Sequence, residues 1–381
     1  MIITAGTYFN PDEARIMTDQ LFQTPLYEAH KAAGARMGPF GGWDMPIQYA
    51  GILNEHHHTR TKASIFDTCH MGEFDVKGPG AQADLENLLT LNVDTIREGQ
   101  CRYGFLLNDE GGVIDDLTCY RRAGDHFFLV VNAGTRGDDA SWIKSHLSAN
   151  TTFTDLSPGR TKIDVQGPGA RQAVEAVLGP LPDLGYFRFA DLDLGGIPMT
   201  LSRTGYTGEW GYEFYFDSEP AIDIWHRLVG GGVIQPAGLG ARDTLRLEMG
   251  YALYGNELNA HMTPAGATGG AFIHMGKDFI GKPAVERELA NPTRHLVGLM
   301  LESKRAARSH DRVVAGGETV GEVTSGSVAP SLDCAVALAY VDDGFHAPGS
   351  ELAISVRGKE LSAKVTGLPF YKDGTARKTS R

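Results

Sequence analysis

Residues 108–120 read Asn-Asp-Glu-Gly-Gly-Val-Ile-Asp-Asp-Leu-Thr-Cys-Tyr. Asn-Asp-Glu-Gly-Gly supplies the backbone freedom of a tight turn, and the apolar run after it has the character of a strand. Cys101–Leu107 lies just before the turn, so the two runs read as an antiparallel hairpin. Asp115 and Asp116 interrupt the second strand. Side chains alternate faces along a strand, so the two carboxylates occupy different environments. One is expected to face water and the other to point inward, where a carboxylate is paired, protonated or put to use. Taken alone, the pair is most simply a solvated acidic pair beside a turn.

The rest of the chain repeats this alternation of short strands and helices. Phe127–Val131 is an apolar strand that ends in the polar Asn132. Helices are expected over Ala81–Leu91, Ala140–Leu147, Ala170–Leu178, Ala221–Val229 and from Gly238 onward. Thr24-Pro25 reads as a helix start with Thr24 as the N-cap, and Phe40–Pro46 as a glycine-punctuated packed loop. Gly78-Pro79-Gly80 and Gly167-Pro168-Gly169 each follow a strand and open a helix, which suggests two related α+β units. From His295 the pattern changes to short strands separated by Gly and Pro: His295–Leu301, Thr319–Thr324, Ala335–Val341, Leu352–Val356 and Leu361–Thr366. That is the signature of an all-β barrel or sandwich. The organisation expected is an N-terminal extension over residues 1–18, an α+β region over 19–284 with Lys282–Ala290 as a linking helix, and a β domain over 285–381.

Composition narrows the function. The chain has 381 residues, with 35 Lys plus Arg against 47 Asp plus Glu, a net charge of −12. A general nucleic-acid or membrane-surface role needs a basic footprint that this balance does not supply. The four cysteines (Cys69, Cys101, Cys119 and Cys334) have no C-x-x-C spacing, so reduced thiols in a cytoplasmic protein are the plain reading. Asp12, Glu13 and Asp19 argue against a targeting peptide. His56, His57 and His58 fall on one helix, where consecutive side chains diverge, so no metal site is expected from them. Gly238–Asp243 is not a dinucleotide-binding fingerprint, since its sixth position is Asp.

The blocks also converge on a family. Thr24–Tyr27, Gly42–Pro46, His70–Glu73, Gly111–Leu117, Val130–Ala133, Gln166–Pro168, Arg203–Glu209, Gly211–Glu213, Gly238–Asp243, Leu245–Glu248, Thr263-Pro264, Lys277–Gly281 and Thr324–Gly326 follow one another in the order found in the glycine cleavage T-proteins. Over nearly its whole length the chain resembles these folate-dependent aminomethyltransferases. The resemblance implies three domains in a clover-leaf around a central channel for tetrahydrofolate: two α+β units with antiparallel sheets and a C-terminal barrel. It implies transfer of a one-carbon unit from the aminomethyl-lipoyl arm of an H-protein to tetrahydrofolate, giving 5,10-methylenetetrahydrofolate, ammonia and the dihydrolipoyl arm. The alternative within the superfamily is a folate-dependent demethylase of a small N-, O- or S-methyl compound.

By position, the resemblance makes Asp116 the essential carboxylate and places Glu213 and Arg242 on the pterin side. Tyr103, Asn132, Tyr186, Tyr206 and Tyr371 become pocket residues. The chemistry suits them: a carboxylate such as Glu213 can accept both donors of a pterin edge in a fork, and aromatic walls suit a flat ring held away from water. The chain departs from the family's usual pattern at Ala265–Ala271, which is small and glycine-rich, and at Asp333-Cys334. Two basic runs, Arg121-Arg122 and Lys304-Arg305 with Arg308, are candidate docking patches for an acidic carrier protein.

Overall fold

In the computed structural model, which describes residues 21–378, the Asn108–Gly112 turn joins Gln100–Leu107 to Val113–Ala123 in an antiparallel pair. Asn108 pins the turn. Its backbone N–H donates to Gly112 O (2.9 Å) and its Oδ1 accepts from Gly112 N (2.8 Å). His126–Val131, Gly72–Lys77 and Thr152–Asp155 complete a five-stranded antiparallel sheet. Helices Ala81–Leu88 and Arg136–Ser145 send Leu85, Leu88, Ala140 and Ile143 into the core on one face, against Phe74, Leu106 and Leu117. The expected extension, residues 1–18, lies outside the described part.

A second sheet has six strands, in the order Phe189–Leu194, Ile197–Ser202, Gly211–Asp217, Arg160–Gln166, Ala63–Asp67 and Ile234–Pro236. All neighbours are antiparallel except the last pair, which is parallel. Ala63–Asp67 precedes the first sheet in the chain yet pairs in the second, so the two units are interleaved. Helices Ala170–Leu178 and Ala221–Gly230 cover one face with Val174, Leu178, Ile224 and Trp225. The Gly-Pro-Gly echo has one physical cause in both units. Gly78 (φ 124°) and Gly167 (φ 140°) each turn a strand into a helix, and a Cβ there would sit 2.3 Å from Asn150 O or 2.2 Å from Lys62 O. Only glycine lets the neighbouring backbone come so close.

Six strands, Arg294–Leu301, Cys334–Asp342, Glu318–Ala329, Arg312–Ala315, Glu351–Val356 and Lys359–Thr366, close a barrel in that order. Five of the six are legible as sequence patterns; Arg312–Ala315 is too short to show one. Phe40–Pro46 is not the expected loop but part of a hairpin, Arg36–Phe40 with Trp43–Gln48, whose turn residues Gly41 and Gly42 have φ of 55° and 84°. Thr24 is not a helix cap. The helix begins at Tyr27 with Leu26 at the N-cap, and the Thr24 hydroxyl donates to Asp67 Oδ2 (2.6 Å).

Arg60 and Glu248 tie these units together. Arg60, on helix Ile52–Thr61, donates to Glu248 Oε2 (2.8 Å), Glu209 Oε1 (3.0 Å) and Thr207 O (2.5 Å). The other oxygen of Glu248 accepts from Ser331 N of the barrel (2.8 Å), and His56 closes in on Oε2 at 3.2 Å. All of these side chains are nearly sealed from water, where removing one member leaves an unpaired buried charge. Arg60→Met should therefore lower the unfolding free energy by about 3–5 kcal/mol, measured by denaturant titration; a loss below about 1 kcal/mol would mean that the network holds nothing together.

Candidate active site

Strand alternation decides the surroundings of the acidic pair. Asp115 and Leu117 face the helix-covered core, and Asp116 and Thr118 face the other way; a bulge at the start of the strand breaks the alternation, so Ile114 also packs on the helix side while Val113 joins Phe105, Leu107 and Leu258. The expectation that one carboxylate of the pair faces water is overturned. Both faces of this strand are covered, one by helices and the other by the second sheet, whose Tyr215 packs with Tyr120, Phe128 and Phe189. Asp115 is sealed at 0% exposure, whereas Asp116 keeps partial access.

Asn132 explains how two adjacent acids are tolerated. The pairing Thr118↔Val130, followed two residues further, sets Asp116 opposite Asn132 just past the strand end. Its Nδ2 donates to Asp115 Oδ1 (2.8 Å) and Asp116 Oδ1 (3.0 Å), and its backbone N–H donates to Asp115 Oδ2 (2.8 Å). Tyr103 lies opposite Thr118, diagonal to Asp116, and its hydroxyl donates to Asp116 Oδ2 (3.0 Å). Burial raises the Asp116 carboxyl to about 6, against the Tyr103 and Asn132 hydrogen bonds. Burial and the Asp116 charge raise Asp115 to about 7. Desolvation outweighs the hydrogen bonds at both sites.

Glu213 belongs to a second cluster. Lys162 and Asp164 alternate onto one face of Arg160–Gln166, and Glu213 sits opposite Asp164 in register. Lys162 Nζ bridges Asp164 Oδ1 (2.6 Å) and Glu213 Oε1 (2.8 Å), and Arg242 pairs with Asp164 Oδ2 (2.8 Å). Burial alone would lower the Lys162 pKa, but Asp164 and Glu213 raise it, so it stays charged. Glu213 Oε2 already accepts from Thr204 (2.5 Å) and Tyr215 (3.0 Å). Both oxygens of the fork expected for a pterin edge thus already carry donors, Thr204 and Tyr215 on Oε2 and the Lys162 ammonium on Oε1, and the acceptor position left is the second lone pair of Oε1.

Tyr206 links the clusters. Arg242 stands over its ring at 4.9 Å, and Tyr251 stacks on it at 5.7 Å. Burial first, then the nearby Asp116 charge, hold the phenol in its neutral form. Tyr186 lies against Phe187 and within reach of Tyr251. Tyr371 stands elsewhere: its ring covers Arg60 at 4.2 Å, in the interdomain network. Tyr103, Asn132 and Asp116 converge, as do Glu213 and Arg242 through Lys162 and Asp164. Sequence reasoning missed Lys162 and Asp164, although the i, i+2 spacing on a strand was a usable signal.

The other sequence candidates are mostly engaged in structural contacts. His56 bonds Thr244 (2.8 Å) and His58 bonds Ser64 (3.2 Å), so the histidine run diverges as expected. Arg122 pairs with Asp191, and Arg121 donates to Ile96 O and Gly124 O. Lys304, Arg305 and Arg308 remain on the barrel surface, with Lys304 near Asp333. Just after the departing segment, Phe272 meets Tyr103 edge to face, with centroids 5.0 Å apart. A cleft of about 440 Å3 beside the strand is lined by Asn108, Ile114, Thr135, Trp142 and Tyr254, and by none of the residues selected from the sequence. No helix among the described residues is long and apolar enough to cross a membrane.

Comparison with known proteins places this arrangement. Residues 26–277 match the GCVT N-terminal domain family, and residues 294–372 match the glycine cleavage T-protein C-terminal barrel domain. An aminomethyltransferase of Desulfitobacterium hafniense is 40% identical over 93% of this chain and 99% of its own length. One of Rubrobacter xylanophilus is 41% identical over 92% of this chain and 95% of its own. The crystal structure of glycine cleavage system aminomethyltransferase T from Bartonella henselae superposes with a TM-score of 0.88 at 33% identity, over 93% of this chain and 99% of that one. The chain belongs to the glycine cleavage T-protein family and is an aminomethyltransferase.

Proposed function

We propose that this enzyme moves the one-carbon unit from the aminomethyl-lipoyl arm of an H-protein to tetrahydrofolate, with Asp116 as the catalytic carboxylate. The observation that carries the reading is Asp116 itself: a partly accessible acid whose two oxygens are each held by one neutral donor, Asn132 Nδ2 and Tyr103 OH. Each oxygen keeps a lone pair for substrate. When a folate amine attacks the methylene carbon, that amine must lose a proton and the carbon passes through cationic, iminium-like character. A fixed carboxylate can orient the amine, accept the proton and stabilise the positive charge. Its raised pKa of about 6 makes it a better proton acceptor than a free carboxylate while leaving it ionised at neutral pH. Glu213 Oε1, Arg242 and Tyr206 are proposed to hold the pterin end, with Tyr186 as a more distant wall. The family match supports the lipoyl carrier as donor over a small methylated compound. The cytoplasm fits the reduced cysteines.

The direct test is product analysis with tetrahydrofolate and an aminomethylated lipoyl carrier. Methylenetetrahydrofolate and ammonia should form only when the carrier is present; turnover of a small N-methyl donor without a carrier would move the assignment to a demethylase. The rate should rise with pH through about 6, because the ionised form of Asp116 predominates above its pKa.

The two carboxylates should separate by substitution. Asp116→Asn should fold and bind folate but lose on the order of a hundredfold or more in turnover. With Asp115 on the face away from Asp116, strand alternation alone predicts a mild effect of Asp115→Asn. Its burial against two Asn132 donors instead predicts a stability loss of about 1–3 kcal/mol. Equal loss of turnover in both, with stability unchanged in both, would contradict these roles.

Glu213→Gln should weaken folate by about 2 kcal/mol, roughly 30-fold in Kd, the value of one charged hydrogen bond. Unchanged affinity by calorimetry would remove Glu213 from the site. Charge reversal at Lys304, Arg305 and Arg308 should raise the KM for the carrier at low salt and leave folate binding alone. The difference should fade as the screening length drops below about 8 Å, and unchanged KM at low salt would exclude this patch from docking.

A further inference from the structure

The core face of the catalytic strand meets a carboxyl that the proposed chemistry does not use. Asp139, near the start of helix Arg136–Ser145, is 0% exposed; its oxygens make no well-formed hydrogen bond, and the side chains near enough to act on them as hydrogen-bond partners are Thr135 and Asp115. The hydroxyl of Thr135, one turn earlier, donates to Asn132 O (3.3 Å). What Asp139 faces is Asp115, also 0% exposed, whose oxygens already take the backbone and side-chain N–H groups of Asn132. The charges that act most on Asp139 are acidic, Asp115 and Asp138, and the phenol of Tyr254 faces the same group of acids. Two buried carboxyls in contact, without a cation, are compatible only if they share a proton.

We propose that Asp139 is a positioning residue for the aminomethyl-transfer site: protonated, it donates to Asp115, which fixes the Asn132 amide and, through it, the orientation of Asp116. The proposal rests on Asp116 being the working carboxylate. The proton belongs on Asp139. Burial first, and then the Asp115 charge, push its carboxyl up to about 10, whereas the Asn132 donors resist the rise at Asp115. Asp115, at about 7, is the first of the two to ionise, and as the pH rises through neutrality it becomes the charged acceptor while Asp139 keeps its proton. Each donor in the chain has an acceptor ahead of it: Asp139 has Asp115, and the Asn132 amide has both Asp115 and Asp116.

The test uses two variants and two readouts. Asp139→Asn keeps a donor for Asp115; Asp139→Ala removes it. In carbon-13 carboxyl spectra of the unliganded wild-type protein, one aspartic acid should remain protonated at pH 7–8 and disappear in Asp139→Asn. This readout needs no substrate, so it stands or falls separately from the transfer reaction. In the pH dependence of kcat/KM, Asp139→Asn should leave the acid limb in place. Asp139→Ala should move it up by about one pH unit, the effect of one lost hydrogen bond passed on to Asp116. A downward shift in Asp139→Ala would mean that an ionised Asp139 had been removed, and would overturn the proposal. So would an unmoved limb in both variants, or a wild-type spectrum with no protonated aspartic acid. Should Asp139→Ala fail to fold, the spectrum and the Asp139→Asn profile still decide.

Discussion

One amide group, the side chain of Asn132, makes the acidic strand possible. Two carboxylates at consecutive strand positions are forced onto opposite faces, and here both faces are covered. Each alone would face the cost of desolvation without a partner. Asn132, one position past the end of the neighbouring strand, can reach both because that strand stops there and the backbone turns away. The result is an asymmetric pair. Asp115 is sealed with an Asn132 donor on each oxygen, and Asp116 is held but accessible. That asymmetry makes Asp115 a buried support and leaves Asp116 open to a ligand, as the proposed transfer requires.

The second cluster solves the same problem by a different route. Asp164 is paired with two cations, Lys162 and Arg242, and Glu213 with Lys162. The two strategies give opposite pKa behaviour: cations hold Asp164 below the ordinary carboxylate range against its burial, while neutral donors leave Asp116 above it. A carboxylate that must bind wants the first environment, and one that must accept a proton wants the second. Tyr206, flanked by Arg242 and within the field of Asp116, stands between them.

Much of this was legible in the sequence. The hairpin around Asn108–Gly112, the helices Ala170–Leu178 and Lys282–Ala290, and the run of barrel strands all follow from local pattern and turn chemistry. What was not legible depended on tertiary cover. Strand alternation separates Asp115 from Asp116, but only the packing of helices and of a second sheet shows that neither side is solvent. The Arg36–Gln48 hairpin was hidden because Gly41 and Gly42 read equally well as a loop. Tyr371 matched a pocket position, but its ring lies on Arg60. Asp139 carried no signal, since an acid in the first turns of a helix is ordinary; its burial is what makes it unusual.

The central claim is that Asp115 acts through Asn132 on Asp116, and a double-mutant cycle on turnover measures it. Asp115→Asn and Asn132→Ala should each lower kcat, by about tenfold or 1.4 kcal/mol of activation energy. Because both break the same support, the double variant should be no slower than the worse single one. Multiplied effects, with the double variant slower by the product of the two, would show that Asp115 and Asn132 act independently and would contradict the account.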